Sequence, residues 1–233
     1  MSSKMEILWK QALKTFAGRE SNGFKLCQKN FEKLRALMNE ITAEDVKVDK
    51  KVLDYVENQC APMCVIDIFE NQDITIAIFL LKHGVTLPMH DHPGMHGLLK
   101  VINGAVKIDS FTVQIASGRV IQLDEELTAL QHASQIIETN DPACVLTPHD
   151  HNLHEISCLN GPAAFLDILS PPYDVDLDER ERSLRPCTFF RQIAQEQSNS
   201  LPADTPVRVK LMAVDQPPLF YSTNLKYLGP PLR

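Results

Sequence analysis

Gly84-Val85-Thr86-Leu87-Pro88-Met89-His90-Asp91-His92-Pro93-Gly94-Met95-His96-Gly97, with Gly104 beyond it, is the stretch on which the fold turns. If it is extended, His90 and His92 stand at i and i+2, so both imidazoles leave one face with their bases about 7 Å apart, while Asp91 points the other way. Two such rings can converge on one metal ion, and Asp91 cannot join them. The flanks agree with a strand. Val65 to Phe69 and Ile74 to Leu81 are rich in β-branched residues with period two. Further strand-like runs follow at Leu98–Ile102, Ala105–Phe111, Val113–Ile115, Val120–Leu123, Cys144–Leu146, Leu153–Leu159, Ala163–Leu169 and Thr188–Ile193. So many short strands, separated by Gly, Pro, Asn and Asp, predict a sandwich or barrel. Asn103-Gly104 between two apolar runs reads as a hairpin turn.

Outside this region the chain is simpler. Residues 4–17 and 24–40 carry apolar side chains at helical spacing, and Thr42-Ala-Glu-Asp45 reads as a short turn or helix before the main fold. Residues 1–60 are therefore expected as a helical region packed on a barrel formed by 61–233. Within the latter, 116–143 reads as an insertion or extra hairpin, and 195–206 as an exposed loop before a Pro-rich tail. The first helix carries Met5, Leu8, Trp9, Ala12, Leu13 and Phe16 on one stripe. It lacks the unbroken apolar core of a secretory signal, and Glu6 and Glu20 argue against a mitochondrial presequence.

The 233 residues are 44% hydrophobic and 23% charged, an ordinary globular composition. With 23 basic and 30 acidic side chains the net charge is -7, and no basic stripe invites nucleic acid. No apolar run of about 18 residues exists to cross a membrane as a helix. The six cysteines lie in apolar contexts of a chain too long to need disulfide staples. That usage fits free thiols in a reducing compartment, the cytoplasm, and Cys60-x3-Cys64 lacks the partners of a zinc site.

Eight histidines occur, and seven lie in two short windows, His83 to His96 and His149 to His154, with His132 apart from them. A third ligand must come from Leu146-Thr-Pro-His149-Asp-His151-Asn-Leu-His154. His154 shares strand parity with Ile156 and Cys158, whereas His149 and His151 lie in a Pro/Asp/Asn-rich segment that reads as loop. All three stay open on spacing alone. His96 reads as packed or hydrogen-bonded behind the site, and His83 and His132 as surface or turn residues.

Gly84, then five residues, His90-x-His92 and a later glycine resemble the first cupin motif. The glutamate usual after the second histidine is missing, its places being held by His96 and Gly97. A 2-oxoglutarate oxygenase is disfavoured because position 92 is histidine where that chemistry needs a carboxylate. Ile78 to Leu81, Pro88 to Gly97, Leu146 to His149, Asn152 to His154 and Gly161-Pro-Ala-Ala-Phe-Leu-Asp-Ile-Leu-Ser-Pro-Pro-Tyr173 resemble the 2-aminoethanethiol (cysteamine) dioxygenase and plant cysteine oxidase family of cupin thiol dioxygenases, over roughly residues 60–195.

That resemblance implies a mainly β, cupin-type double-stranded β-helix (jelly roll) with N-terminal helices. It implies one Fe(II) per chain on His90, His92 and His154, with O2 as co-substrate. It further implies oxidation of a small thiol, or of the N-terminal cysteine of a peptide or protein, to the sulfinic acid, with a role in oxygen sensing. Asp167 would orient an imidazole or receive the substrate amine, and Tyr173 would approach the iron pocket. Relatives tend to carry Cys-x-Tyr where this chain has Cys187-Thr-Phe189, so the thioether associated with that tyrosine is expected to be absent. The chemistry suits the ligand set. Three neutral imidazoles leave the ion's double charge whole, whereas a carboxylate would halve it. A thiol titrating near about 8.5 is deprotonated outright on a divalent cation. The reading from another class is a cupin that binds metal and ligand without turnover. A monomer acting without nucleic acid or membrane completes the expectation.

Overall fold

The structure, a computed structural model, describes residues 2–114, 119–173, 185–195 and 205–233. Three helices come first, α1 (Lys4–Phe16), α2 (Gln28–Asn39) and α3 (Lys50–Asn58). The strands then run β1 (Met63–Glu70), β2 (Thr75–Leu81), β3 (Thr86–Asp91), β4 (His96–Val113), β5 (Glu126–Gln131), β6 (Gln135–Glu138), β7 (Cys144–Leu146), β8 (Leu153–Ser170), β9 (Phe189–Gln195), β10 (Val207–Val214) and β11 (Ser222–Leu225). This is the expected mainly β cupin architecture, and its hinge is a pair of very long strands.

β4 and β8 lie antiparallel along nearly their whole length, from His96 opposite Ser170 to Phe111 opposite Leu153. Asn103-Gly104 makes no hairpin. It sits inside β4, where the register shifts between Val101 and Val106, and the facing segment of β8 is Asn160 to Ala164. An Asn-Gly pair supplies a positive φ, and a bulge that bends a strand can use that φ as readily as a turn can. Gly104 has φ 73°, and a Cβ there would lie 2.2 Å from the Asn160 carbonyl oxygen. Both backbones would have to give way. Gly104→Ala is therefore expected to cost about 2–4 kcal/mol, read as a lower urea midpoint at unchanged slope. An unchanged midpoint would show that the bend tolerates a side chain.

The bend divides two sheets. In one, β11, β1, β2, the second half of β8, the first half of β4 and β7 are neighbours. In the other, the first half of β8 leads through β3, β9, β10 and β5 to the second half of β4, which also pairs with β6. β10 follows the stretch read as a loop, of which 196–204 lies outside the described residues, and β10 and β11 lie within the segment expected as a Pro-rich tail. Residues 119–143 yield β5 and β6 in the sheet, not a separate insertion, and Val120–Leu123 is not a strand.

Alternation along the strands sets the two faces. Ile66, Ile76, Ile78, Leu98, Leu166 and Ile168 point outward, where they pack under Met5, Leu8, Phe16, Leu34 and Met38 of α1 and α2. Met5, Leu8 and Ala12 are wholly buried, so the stripe read from the sequence faces the sheet. Ser3 caps α1 by accepting from the Glu6 amide at 3.1 Å. Leu99, Val101, Ile156, Cys158 and Phe165 point the other way, between the sheets. Among the described residues no helix is long and apolar enough to cross a membrane.

Candidate metal centre

His90 and His154 meet because β3 and β8 are paired in register, with His90 directly opposite His154. β3 ends at Asp91, yet the His92 amide still donates to the Asn152 carbonyl at 2.8 Å, which carries the alignment one residue further. The i, i+2 relation thus holds, and the ring centroids stand 4.9 Å (His90 to His92), 4.8 Å (His90 to His154) and 4.6 Å (His92 to His154) apart. One nitrogen from each ring lies within 4.8 Å of the others. All three rings are buried. His149 and His151 do not join them.

Burial keeps these imidazoles neutral. It lowers His90 to about 4 and holds His92 and His154 well below the ordinary histidine value, with mutual repulsion adding to the effect at the latter two. His90 Nδ1 faces the Pro88 carbonyl at 2.9 Å, which fixes the proton there and leaves Nε2 bare. His92 Nδ1 is buried without a hydrogen bond among the described residues, although the Asn152 carbonyl lies near enough to favour its protonation. Three bare lone pairs converging in a buried place repel one another unless a cation lies between them. The donor set therefore fits a divalent transition ion.

Asp91 turns away, as its strand parity requires. Its carboxylate accepts from the Thr188 amide at 2.9 Å, and its carbonyl accepts from the Tyr173 hydroxyl. Tyr173 packs beside His92, with centroids 5.7 Å apart, and its oxygen also meets the Cys187 thiol. Cys187 is a free thiol. Phe189 stands opposite His90 at the head of β9 and brings no phenol. His96 packs against Phe16 and Phe31 at 6.4 and 6.2 Å, behind the site and under the helices.

Asp167 lies on the face of β8 shared by Phe165 and Leu169, opposite Leu99. It is buried, and burial raises its carboxyl to about 7 against a single backbone donor, Ile168. A cavity of about 550 Å³ reaches His154, though not His90, His92 or Asp167, and is lined by His154, Ser110, Leu99, Leu146, His151 and also Arg35. Arg35 was missed because it lies outside every motif. The signal was its place on α2, four residues after Phe31 and three before Met38, where a charge sits on the buried stripe. Its Nε donates to the Ala143 carbonyl at 2.9 Å.

Residues 37–232 match the family model PCO_ADO. The chain is 34% identical over 224 residues to the 2-aminoethanethiol dioxygenase of Homo sapiens, covering 86% of this chain and 80% of that protein. It is 32% identical over 257 residues to the 2-aminoethanethiol dioxygenase of Mus musculus, covering 99% and 96%. Plant cysteine oxidase 2 of Arabidopsis thaliana is 26% identical over 189 residues, with 80% of this chain and 65% of that protein covered.

Proposed function

Because the chain belongs to the PCO_ADO family, we propose that it is a thiol dioxygenase that oxidises cysteamine, or an N-terminal cysteine, to the sulfinic acid with O2. Its metal is a single Fe(II) on His90, His92 and His154, and its place is the cytoplasm, where it acts as a monomer. The division into a helical cap, 1–60, and a catalytic cupin unit, 61–233, goes with this reading. The observation that carries it is the cluster of three buried, neutral imidazoles with no carboxylate among them. Six free cysteines accord with a reducing compartment.

Bound there, Fe(II) would supply an unreduced double charge to make a thiolate of the substrate and the redox chemistry for O2. The protein's own groups supply position. Strand register fixes the imidazoles, so no reorganisation is needed when ligands arrive. Asp167, short of donors in a buried setting, is suited to receive the substrate ammonium group. We assign Tyr173 to positioning, because its one proton is held by the Asp91 carbonyl next to His92. Leu99, Ile108 and Leu146 give the cavity an apolar wall.

Anaerobically iron-loaded protein should consume O2 when cysteamine or a Cys-initiated peptide is added. A protein that binds the thiol yet consumes no O2 would be a binding cupin without turnover. Asp167→Asn keeps the volume and removes the charge, so kcat/KM is expected to fall by about 10–100-fold, the worth of a charged hydrogen bond, while iron content stays at the wild-type level. Unchanged kinetics together with a lower melting temperature would make Asp167 purely structural.

A further inference from the structure

His132, Asp150 and His151 form a second cluster that the thiol chemistry does not use. His132, read from the sequence as a surface or turn residue, is half-buried just after β5. His132 follows β5, Asp150 and His151 lie in the turn before β8, and Ser110 and Thr112 of β4 lie beneath them. The two imidazoles stack with centroids 4.0 Å apart. His132 Nε2 stands 3.7 Å from one Asp150 carboxylate oxygen, and His151 Nε2 stands 3.7 Å from the other.

That spacing is informative. At 3.7 Å neither ring is hydrogen-bonded to the carboxylate, since N–H···O bonds close at about 2.7–3.2 Å. Two ligands about 2.0–2.1 Å from one tetrahedral ion stand roughly 3.3 Å apart, so each histidine is within a few tenths of an ångström of that spacing from Asp150, and the three ligand atoms all lie within 4.8 Å of one another. The supports are already in place. Ser110 Oγ holds His151 Nδ1 at 2.8 Å, which leaves Nε2 facing Asp150. The Thr112 hydroxyl donates to Asp150 Oδ1 at 2.8 Å and accepts from His132 Nε2 at 2.7 Å and the His151 amide at 3.0 Å. The Ser110 bond, on the His151 nitrogen turned away from Asp150, is of the kind that orients a metal ligand, whereas Thr112 holds the same His132 nitrogen that an ion would take and must release it. His151 has φ 52°, a costly left-handed conformation for a residue with a Cβ, and the Ser110 and Thr112 contacts hold it there.

We propose that His132, Asp150 and His151 bind a second divalent transition ion of the Zn2+ type, and that its occupancy slows turnover. Two imidazoles and one carboxylate select such an ion over Mg2+ or Ca2+, which prefer oxygen throughout. On binding, His132 gives up its Nε2 proton to solvent and takes one from solvent at Nδ1, so the imidazole stays neutral and the ion replaces the proton on Nε2. His151 lines the same cavity as His154 while remaining partly exposed, so an ion on it stands at the cavity rim.

The test equilibrates iron-loaded protein with a small excess of Zn2+ and counts both metals by mass spectrometry after gel filtration. One iron and one zinc per chain are expected. His132→Ala and Asp150→Asn should keep iron and, without zinc, full turnover, while zinc binding weakens by about 100-fold, since loss of outer partners alone costs 10–100-fold. His132→Gln, which retains a donor for Thr112, should behave the same way and separates loss of a ligand from loss of the loop. Zinc should lower O2 consumption of the wild type and spare these variants. Zinc that enters only by expelling iron, or that binds the variants as tightly, would overturn the site. Zinc bound at the rim with undiminished turnover would overturn the effect on activity. Because zinc stoichiometry is read independently of catalysis, an inactive protein would count against the dioxygenase reading and leave this test intact.

Discussion

His154→Ala should fold, hold no iron and consume no measurable O2 with cysteamine, a loss of at least about a thousandfold, given that enzymes commonly accelerate their reactions by about a millionfold or more. Two imidazoles from neighbouring positions of one strand cannot by themselves offer the three-sided face that His154 completes from β8. The fold should survive because the metal-free triad repels itself, and removing one buried imidazole relieves His92, whose neutral state already reflects pressure from its neighbours. Heat provides a second readout. An ion bound at 100 times its dissociation constant stabilises the native state by about 2.7 kcal/mol, so Fe(II) should raise the melting temperature of the wild type and leave that of His154→Ala in place. His149→Ala and His151→Ala serve as controls and should retain iron. If His154→Ala kept full iron and turnover while a control lost both, the third ligand would be reassigned.

The parts of this molecule that could be read from the sequence are those in which local pattern and final position coincide. His90-x-His92 faces one way because β3 is extended there, and the parity of His154 with Ile156 and Cys158 survives because β8 is regular over that half. Helix α1 could be read because its whole apolar stripe meets one sheet. Asn103-Gly104 misled, since a positive φ marks a bend without saying whether the chain reverses. Helix α3 was hidden by its exposure, Val56 being its one fully buried side chain, and Asp49 its capping signal. β10 escaped because it follows a polar, Pro-bearing stretch, and its partners β5 and β9 lie far away in sequence. Arg35 and the His132 cluster share one cause. Each depends on segments brought together only by the closed sheets, which no local period reports.

Cysteamine and Cys-initiated peptides should be oxidised with kcat/KM about 100-fold or more above that of free cysteine, the worth of one charge left unpaired or opposed in a buried site. All three substrates offer a thiol for the metal and an ammonium for Asp167. Free cysteine alone adds a carboxylate next to that ammonium, close to an acid whose own ionisation burial already resists. Sequence reasoning between Leu81 and Leu169 finds only Arg119 to receive it, and Arg119 is paired with Glu125. The structure adds Arg35 to the cavity wall, so the prediction must survive an arginine that the motifs do not contain. Arg35 comes from the helical layer, and its Nε is tied to the Ala143 carbonyl, which removes the edge that would pair side-on with a carboxylate through Nε. It is better placed to meet an acidic group further along a peptide than the carboxylate adjoining a metal-held sulfur. Arg35→Ala should then leave the preference of cysteamine over free cysteine unchanged and weaken only peptides with an acidic residue after the cysteine. Comparable rates for free cysteine at equal iron loading would sink the charge argument, and a preference that widens in Arg35→Ala would make Arg35 the seat of the cysteine carboxylate.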